Sequence, residues 1–149
     1  MPGNSMHYLK AVNVDEELVS KLWHRVGSVG SFYSIADGAS KDHFRHVLYS
    51  SDAVLQGPGV FIRLEARNGS LEVHPIVVGH EAFHFAHDMV EDIASLRDER
   101  FAGKAICCII PEGMRGAKRL AEVAGMKQCG RCKRSLSGVE ISCAVYSWR

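Results

Sequence analysis

The most specific metal-binding pattern in the sequence is the run His80-Glu81-Ala82-Phe83-His84, which matches HExxH. On an α-helix, two histidines four residues apart share one face and can bind zinc, while the glutamate activates a water molecule. His87 would lie on the same face, and Glu91 or Glu99 could be a third ligand. Three ligands on one straight helix do not converge on a tetrahedral ion, however. A chain with eight histidines also matches such a motif by chance. We therefore rank a zinc hydrolase third among the functions considered and assign no metal site.

Two residues near the middle of the chain have side chains suited to proton transfer. Glu72 and His74 are two positions apart, so on a strand they share one face. Either could act as a general base toward an amine. Such groups on strands are more often solvated or hydrogen-bonded bystanders, so we predict a catalytic role for them only if the protein is an enzyme.

The cysteines give a weaker signal. Cys129 and Cys132 have the spacing of a zinc knuckle or a redox pair, but a second Cys/His pair at matching spacing is absent. Cys107 and Cys108 lie in an apolar run and are predicted to be core residues. Because five cysteines cannot all pair, the composition favours a reducing cytoplasm.

Two strand-and-helix units are expected to position these residues. Residues 104–110 form an apolar run that Pro111 ends, and from Met114 the apolar residues follow helical spacing as far as a predicted cap at Gly125. Upstream, residues 60–66 alternate in polarity, and Asn68-Gly69 predicts a hairpin into a strand over 71–78. Pro75 should interrupt pairing on one side of that strand. A helix is expected over 81–100, making a βαβ crossover.

The rest of the chain is expected to complete the sheet and its covering helices. We predict a strand over 6–12, a helix capped at Asn13 and ending near Gly27, and a loop over 27–38. Ser40 should cap a short second helix. Residues 131–136 and 139–148 should form a last hairpin that turns at Ser137-Gly138.

The composition is that of one folded domain over residues 1–149, with residues 1–5 loose. A length of 149 residues, an apolar content of 46% and a net charge of +1 give no case for disorder, nucleic acid or membrane binding. The charge is distributed locally. Six acids fall within 81–99, and seven bases against one acid fall within 113–134. A surface of one sign can select a partner.

Two motifs of the chain resemble one protein family. The closing unit contains Ile110-Pro111-Glu112, Ala117-x-x-Leu120 and Gly125-Met126, and the upstream unit contains residues 71–75 followed by Gly79. They resemble the closing strand–helix half and the central strand and acyl-CoA loop of the GNAT superfamily of N-acetyltransferases, over roughly residues 55–149. The resemblance implies an α/β fold with a mixed, mostly antiparallel twisted sheet of six or seven strands and helices on both faces. Glu72-Val73-His74 and the spacing of Pro111, Arg115 and Ala117 resemble most the GNAT-like proteins encoded among bacteriophage structural genes.

The resemblance also implies where acyl-CoA would bind, and the sequence departs from the family there. In the family, bare backbone N–H groups at a helix start take the pyrophosphate, and the corresponding residues here are Val78, Gly79 and His80. Two family glycines are replaced by Glu81 and Phe83. The family's thiolate-protonating tyrosine corresponds to Ala121, whose methyl group cannot donate a proton.

We therefore expect a GNAT-fold binding or structural module without a cofactor, encoded by a phage and associated with virion or assembly proteins. It would act in the host cytoplasm or the virion, and a homo-oligomer is left open. The candidate partner surface is the basic set Arg115, Lys118, Arg119, Arg131, Lys133 and Arg134, with the loop around Phe32 and Tyr33 as the other candidate. The runner-up is an active acetyl-CoA-dependent N-acetyltransferase with an atypical cofactor loop.

Overall fold

One seven-stranded sheet organises the part of the chain that the computed structural model describes, which is residues 6–28, 41–136 and 139–148. The strands are β1 (Lys10–Ala11), β2 (Ala53–Gly57), β3 (Val60–Arg67), β4 (Ser70–Val77), β5 (Ala105–Pro111), β6 (Lys127–Leu136) and β7 (Val139–Trp148). The helices are α1 (Glu16–Ser28), α2 (Lys41–Tyr49), α3 (Ala86–Arg100) and α4 (Arg115–Val123), with a 3₁₀ helix over His80–His84. The strand order is β1-β2-β3-β4-β5-β7-β6, and only β4 and β5 pair in parallel. The predicted α/β class with a mixed, mostly antiparallel sheet is confirmed.

Helices cover both faces of the sheet because neighbouring strand residues point to opposite sides. Ile62 and Leu64 belong to the larger core, together with buried residues of α3 and α4. Phe61 belongs to a second core with Phe44 and Leu48 of α2 and with buried residues of α1. None of the helices within the described ranges is long and apolar enough to cross a membrane.

Two tight turns set the register of the first half of the sheet. The predicted hairpin at Asn68-Gly69 is confirmed, with Gly69 at a φ of 82° and Arg67 opposite Ser70. Pro58-Gly59 makes a second two-residue turn, between β2 and β3, with Gly59 at a φ of 69°. Strand β2 was not predicted, because this turn was interpreted as the boundary before the strand at 60–66.

The predicted strand–helix unit at 104–125 is confirmed almost residue for residue. Strand β5 ends at Pro111, and α4 buries Ala117, Leu120 and Ala121. After α4, the Gly125 N–H donates to the Glu122 carbonyl and the Met126 N–H donates to the Ala121 carbonyl, both at 3.0 Å. This pair of hydrogen bonds is a Schellman motif, and the φ of 94° at Gly125 is the left-handed conformation it requires.

The helix expected over 81–100 is shorter than predicted. Residues 80–84 are 3₁₀, and the α-helix starts at Ala86 after Phe85, whose ψ of 11° lies outside the α-helical range. No side chain caps this helix start. Of the apolar positions that predicted this helix, five are buried and Phe85 is half-buried; the buried ones are Ala82, Ala86, Met89, Ile93 and Leu96. The α-helix itself begins at Ala86 and not at Glu81.

The N-terminal elements differ from the prediction in two ways. The helix N-cap is Asp15, whose Oδ1 accepts the Leu18 N–H at 2.8 Å, rather than Asn13. The first strand covers only Lys10–Ala11 instead of 6–12. The predicted features at residues 1–5, 29–40 and 137–138, including the Ser40 cap and the Phe32-Tyr33 loop, lie outside the described residues.

A buried carboxylate explains the short first strand. Asp92 of α3 is only 3% exposed, and its two oxygens accept the N–H groups of His7, Tyr8 and Leu9 at 2.6–3.0 Å. These N–H groups are therefore bonded to a helix side chain instead of to a neighbouring strand. Asp92, which the sequence placed in an acidic surface patch, is an internal anchor for the start of the chain.

Replacing Asp92 with alanine should destabilise the fold by about 2–4 kcal/mol, because it leaves buried N–H donors without an acceptor. Asp88→Ala is the matched control, since Asp88 is exposed and lies one turn earlier on the same helix. The control should lose at most about 1 kcal/mol of helix-dipole interaction. Urea unfolding of the two variants and the wild type measures both values, and equal small losses would show that Asp92 does not anchor the segment.

Candidate functional site

The central parallel strands part halfway along their length. Strands β4 and β5 pair from Ser70 opposite Ala105 to Val73 opposite Cys108. Beyond that point β4 pairs on its other side with β3, and β5 with β7. Pro75 lies two residues past the last parallel pair and has no N–H to donate. The predicted interruption of pairing near His74-Pro75 is confirmed.

A cleft of about 280 Å³ lies where the two strands part. One part of its wall is apolar and comes from α2, β4, β5, α4 and β7, including Phe44, Ile76, Ile109, Met114 and Ile141. The other part is polar and comes from β3, β4 and β6, including Arg63, Glu65, Arg67, His74 and Arg134. The cleft therefore combines an apolar slot with a charged end.

The carboxylate of Glu72 lies at the centre of the charged group. Its side chain is 4% exposed, and one oxygen contacts His74 Nε2 at 3.2 Å. The other oxygen accepts from Arg134 at 2.7 Å and from Arg67 at 3.1 Å. Glu65, opposite Glu72 on β3, pairs in turn with Arg63 and Arg67. The structure thus brings together the two predicted catalytic residues, but within an ion-pair network.

This network decides the protonation of both residues. Burial would raise the pKa of Glu72, but hydrogen bonds from His74 and Arg134 and the charge of Arg134 outweigh it and lower the pKa to about 2. Burial lowers the pKa of His74, and the charge of Arg63 acts in the same direction. Since a carboxylate only accepts, the His74 Nε2 that faces it carries the proton. Glu72 is therefore a very weak base at neutral pH, and His74 is uncharged.

Three potential metal ligands occur together in this network. One ligand atom from each of Glu65, Glu72 and His74 lies within 4.8 Å of the others. Both oxygens of each carboxylate already face arginine or histidine N–H groups. A divalent cation would have to displace these partners beside three positive charges, so the donor set does not fit a metal.

The HExxH motif does not have the geometry that a zinc site needs. Its five residues form a 3₁₀ helix, in which positions three apart eclipse and positions four apart are about a third of a turn apart. His80 and His84 are both exposed and do not share a face. The zinc-hydrolase alternative requires two histidines on one face of a helix, and His80 and His84 do not meet this requirement.

The loop that resembles an acyl-CoA site uses two of its backbone donors internally. The N–H groups of Val78 and Gly79 both donate to the Gly59 carbonyl, at 2.8 and 3.0 Å. The Glu81 carboxylate folds back and occupies the space that a Cβ at Gly79 would need. A negative charge therefore covers the loop where the family's pyrophosphate would lie.

The cysteine pair of the sequence is not a pair in space. Cys129 is exposed at an irregularity in the β6–β7 register, whereas Cys132 lies opposite Cys143 on β7. Burial raises the pKa of Cys143 to about 11 and raises that of Cys108 as well, so neither is a ready thiolate. Cys108 is buried, as predicted, and Cys107 is half-buried.

The basic set predicted as a partner surface divides into two groups. Arg134 is held by Glu72, and Lys118 by Glu112 at 3.0 Å. Arg115, Arg119, Arg131 and Lys133 are exposed. Glu112 also lies 3.7 Å from Arg131, so Lys118 of α4 and Arg131 of β6 meet at one carboxylate.

Comparison with known proteins identifies the fold. The sequence matches no protein-family model and no curated protein. The structure resembles RimL, a ribosomal L7/L12 alpha-N-protein acetyltransferase, with a TM-score of 0.64 and 10% identity over 95% of this chain and 90% of that one. It also resembles a GNAT-family acetyltransferase from Bacillus anthracis (0.61, 9% identity, 97% and 96% covered). A third similar structure is the microcin C7 self-immunity acetyltransferase MccE (0.60, 8% identity, 95% and 92% covered).

The chain has the GNAT fold. The coverage extends the resemblance, which the sequence placed over residues 55–149, to nearly the whole length of both chains. TM-scores of 0.60–0.64 establish the fold. At identities of only 8–10%, the activity has to be argued from the site's own residues.

The sequence did not lead us to place three arginines in this site. Arg63 and Arg67 could have been found, because the two-residue turn at 68–69 places Arg63 opposite His74 and Glu65 opposite Glu72. Arg134 had no such signal, since β6 reaches the centre of the sheet only through β7. It was assigned instead to a solvent-exposed basic surface.

Glu72 should make the fold sensitive to acid. Its folded pKa of about 2 lies below the ordinary value of 4.5, so its contribution is full above pH 4.5 and is lost as the pH falls toward 2. The difference in unfolding free energy between wild type and Glu72→Gln should therefore shrink by about 3 kcal/mol over this window. Urea unfolding at several pH values measures it.

Glu140→Gln is the control, because Glu140 is exposed and pairs with the exposed Lys133. Its difference from the wild type should stay small and nearly constant over the same window. A Glu72→Gln difference that also stayed constant with pH would contradict the assigned ion-pair network.

Proposed function

We propose that the protein is a GNAT-fold binding module that does not use acyl-CoA. The observation that carries this proposal is the bonding of the Val78 and Gly79 N–H groups to the Gly59 carbonyl beneath the Glu81 carboxylate. A pyrophosphate needs free N–H donors and a positive field. Here the Val78 and Gly79 N–H groups are bonded to the protein's own backbone, and a negative side chain lies over Gly79.

The candidate catalytic groups support the same proposal. A general base works best when its pKa is near the operating pH, and the pKa of Glu72 is about 2. On the closing helix, Ala121 is buried and carries no proton to give to a leaving thiolate. Of the two candidate bases, Glu72 and His74, only the neutral His74 has suitable acid–base chemistry.

The exposed part of the basic set is the partner surface we propose. Arg115 and Arg119 lie on the outer face of α4, and Arg131 and Lys133 lie on β6, an edge strand of the sheet. Lysine and arginine on an edge also discourage sheet-to-sheet aggregation, which accounts for the β6 pair without a partner. The two α4 arginines have no such structural role, so they carry the proposal for an acidic protein partner.

Acetyl-CoA should not bind. Isothermal titration of the wild type up to about 100 μM ligand should show no saturable heat, since even a Kd of that size represents only about 5 kcal/mol. Glu81→Gln keeps the side-chain size and removes its charge. It should also fail to bind, because the loop N–H groups stay bonded to Gly59. Saturable micromolar binding by the wild type would overturn the proposal and favour an enzyme.

Reversing the α4 charges should abolish binding of an acidic probe. We expect poly-L-glutamate to bind the wild type with an affinity that falls as salt rises, and Arg115→Glu/Arg119→Glu to remove this binding without changing the melting temperature. Lys10→Glu is the control, since Lys10 is exposed on the opposite edge strand. Equal, salt-independent binding by all three proteins would exclude this surface as the docking site.

An active N-acetyltransferase is the second candidate, and one observation favours it. The parted strands and the open cleft beside the neutral His74 leave room for an acyl chain and an acceptor. The acetyl-CoA titration separates the two candidates.

We also propose that the protein is encoded by a phage and has a role in virion assembly, and hence lies in the host cytoplasm or the virion. This part of the proposal rests on the sequence resemblance alone. Flanking capsid, portal or tail genes would support it, and a metabolic operon would oppose it.

A further inference from the structure

The charged end of the cleft has more hydrogen-bond donors than acceptors. Arg63, Arg67 and Arg134 each carry five N–H donors in a planar fork, whereas Glu65 and Glu72 offer four oxygens in all. Each of those oxygens already faces a donor. Arg67 and Arg134 are 51% and 38% exposed and can donate to water, whereas Arg63 is only 14% exposed. The remaining N–H groups of Arg63 therefore favour an acceptor inside the cleft.

The charge balance selects the kind of acceptor. Three guanidiniums and two carboxylates leave a net charge of +1, because His74 is neutral at pH 7. A monoanion completes the balance, whereas an ammonium group or a divalent cation would add to the positive excess. A carboxylate also matches the planar fork of a guanidinium.

The rest of the cleft determines what the carboxylate is attached to. Ile76 on β4 and Ile109 on β5 line the slot on either side of the parting, and Met114, just before α4, lines it as well. A volume of about 280 Å³ is at the small end of the range for ligand pockets. The slot therefore suits a compact apolar group.

We propose that this cleft binds a carboxylate attached to a small apolar body, with the carboxylate at Arg63 and Arg134 and the body between Ile76 and Ile109. The ligand is either a free short-chain acid or the C-terminal carboxylate of a peptide that ends in an apolar residue. This inference goes beyond the proposed function, because it concerns the cleft and not the cofactor loop, and it stands whether or not acetyl-CoA binds.

Three probes with the same chain and different heads test the proposal. Octanoate should bind the wild type saturably with a Kd below about 1 mM, and octanol and octylammonium should bind at least about tenfold more weakly. In ¹⁵N spectra, octanoate should shift the Arg63 and Arg134 side-chain signals and the Ile76 and Ile109 amides. Equal binding of all three probes, or shifts confined to other parts of the protein, would overturn it.

A variant and its matched control extend the test. Arg63→Gln removes one guanidinium while Glu65 keeps Arg67 as a partner, so the fold should survive. Its octanoate affinity should fall at least about tenfold while its octanol affinity stays the same, and Arg100→Gln at the exposed end of α3 should match the wild type. Undiminished octanoate binding by folded Arg63→Gln would also overturn the proposal. If the variant does not fold, the wild-type spectra decide.

Two peptides distinguish the sources of the carboxylate. An N-acetylated peptide ending in leucine is compared with its C-terminal amide and with octanoate. Tighter binding of the peptide acid identifies a protein C-terminus, and tighter binding of octanoate identifies a free acid. Equal affinity of the peptide acid and its amide, together with the absence of octanoate binding, would refute both. The acetyl-CoA titration is a separate measurement, so the failure of one proposal does not affect the other.

Discussion

The parting of β4 from β5 after Val73 and Cys108 is the constraint on which the rest of the structure depends. It lets the sheet remain continuous through its other strand pairs while it opens a cleft at its centre. It also leaves the end of β4 free to lead into the loop at Val78 and Gly79. Both candidate sites of the protein, the cleft and the loop, follow from this one break in pairing.

Local sequence signals predicted those parts of the fold whose causes are themselves local. The Asn68-Gly69 turn and the Gly125 cap were recognisable because each depends on a few adjacent residues. The Pro58-Gly59 turn had an equally local signal, proline followed by glycine. Strand β2 was not predicted because this turn was interpreted as a boundary instead of as a hairpin turn. The start of α3 had no signal, since no Ser, Thr, Asp or Asn stands at its cap. The short β1 depended on Asp92, more than eighty residues away.

The candidate site divides in the same way. Because Glu81 and Phe83 stand where the family has glycines, the sequence predicted a loop that disfavours pyrophosphate binding. The Glu81 carboxylate does lie over Gly79. The stronger obstacle, the Gly59 carbonyl, comes from a turn twenty residues upstream, and the sequence gives no indication of that approach. The contact of Arg134 with Glu72 could likewise not be predicted from the sequence, because the two residues are 62 positions apart and two strands lie between theirs.

The ion-pair network in the cleft also limits the chemistry that Glu72 can perform. A buried carboxylate pays a desolvation penalty that its ion pairs only partly offset, so a network of this kind is weak evidence for stability. Apolar residues at Glu72 and Arg134 would fill the same space as well or better. The network holds charged groups of known sign and orientation at the end of an otherwise apolar slot. Ligand recognition depends on such an arrangement, whereas folding does not. It also lowers the pKa of the carboxylate that a transferase could have used as a base. The contacts that hold Glu72 ionised therefore make this carboxylate a poor base for activating an amine.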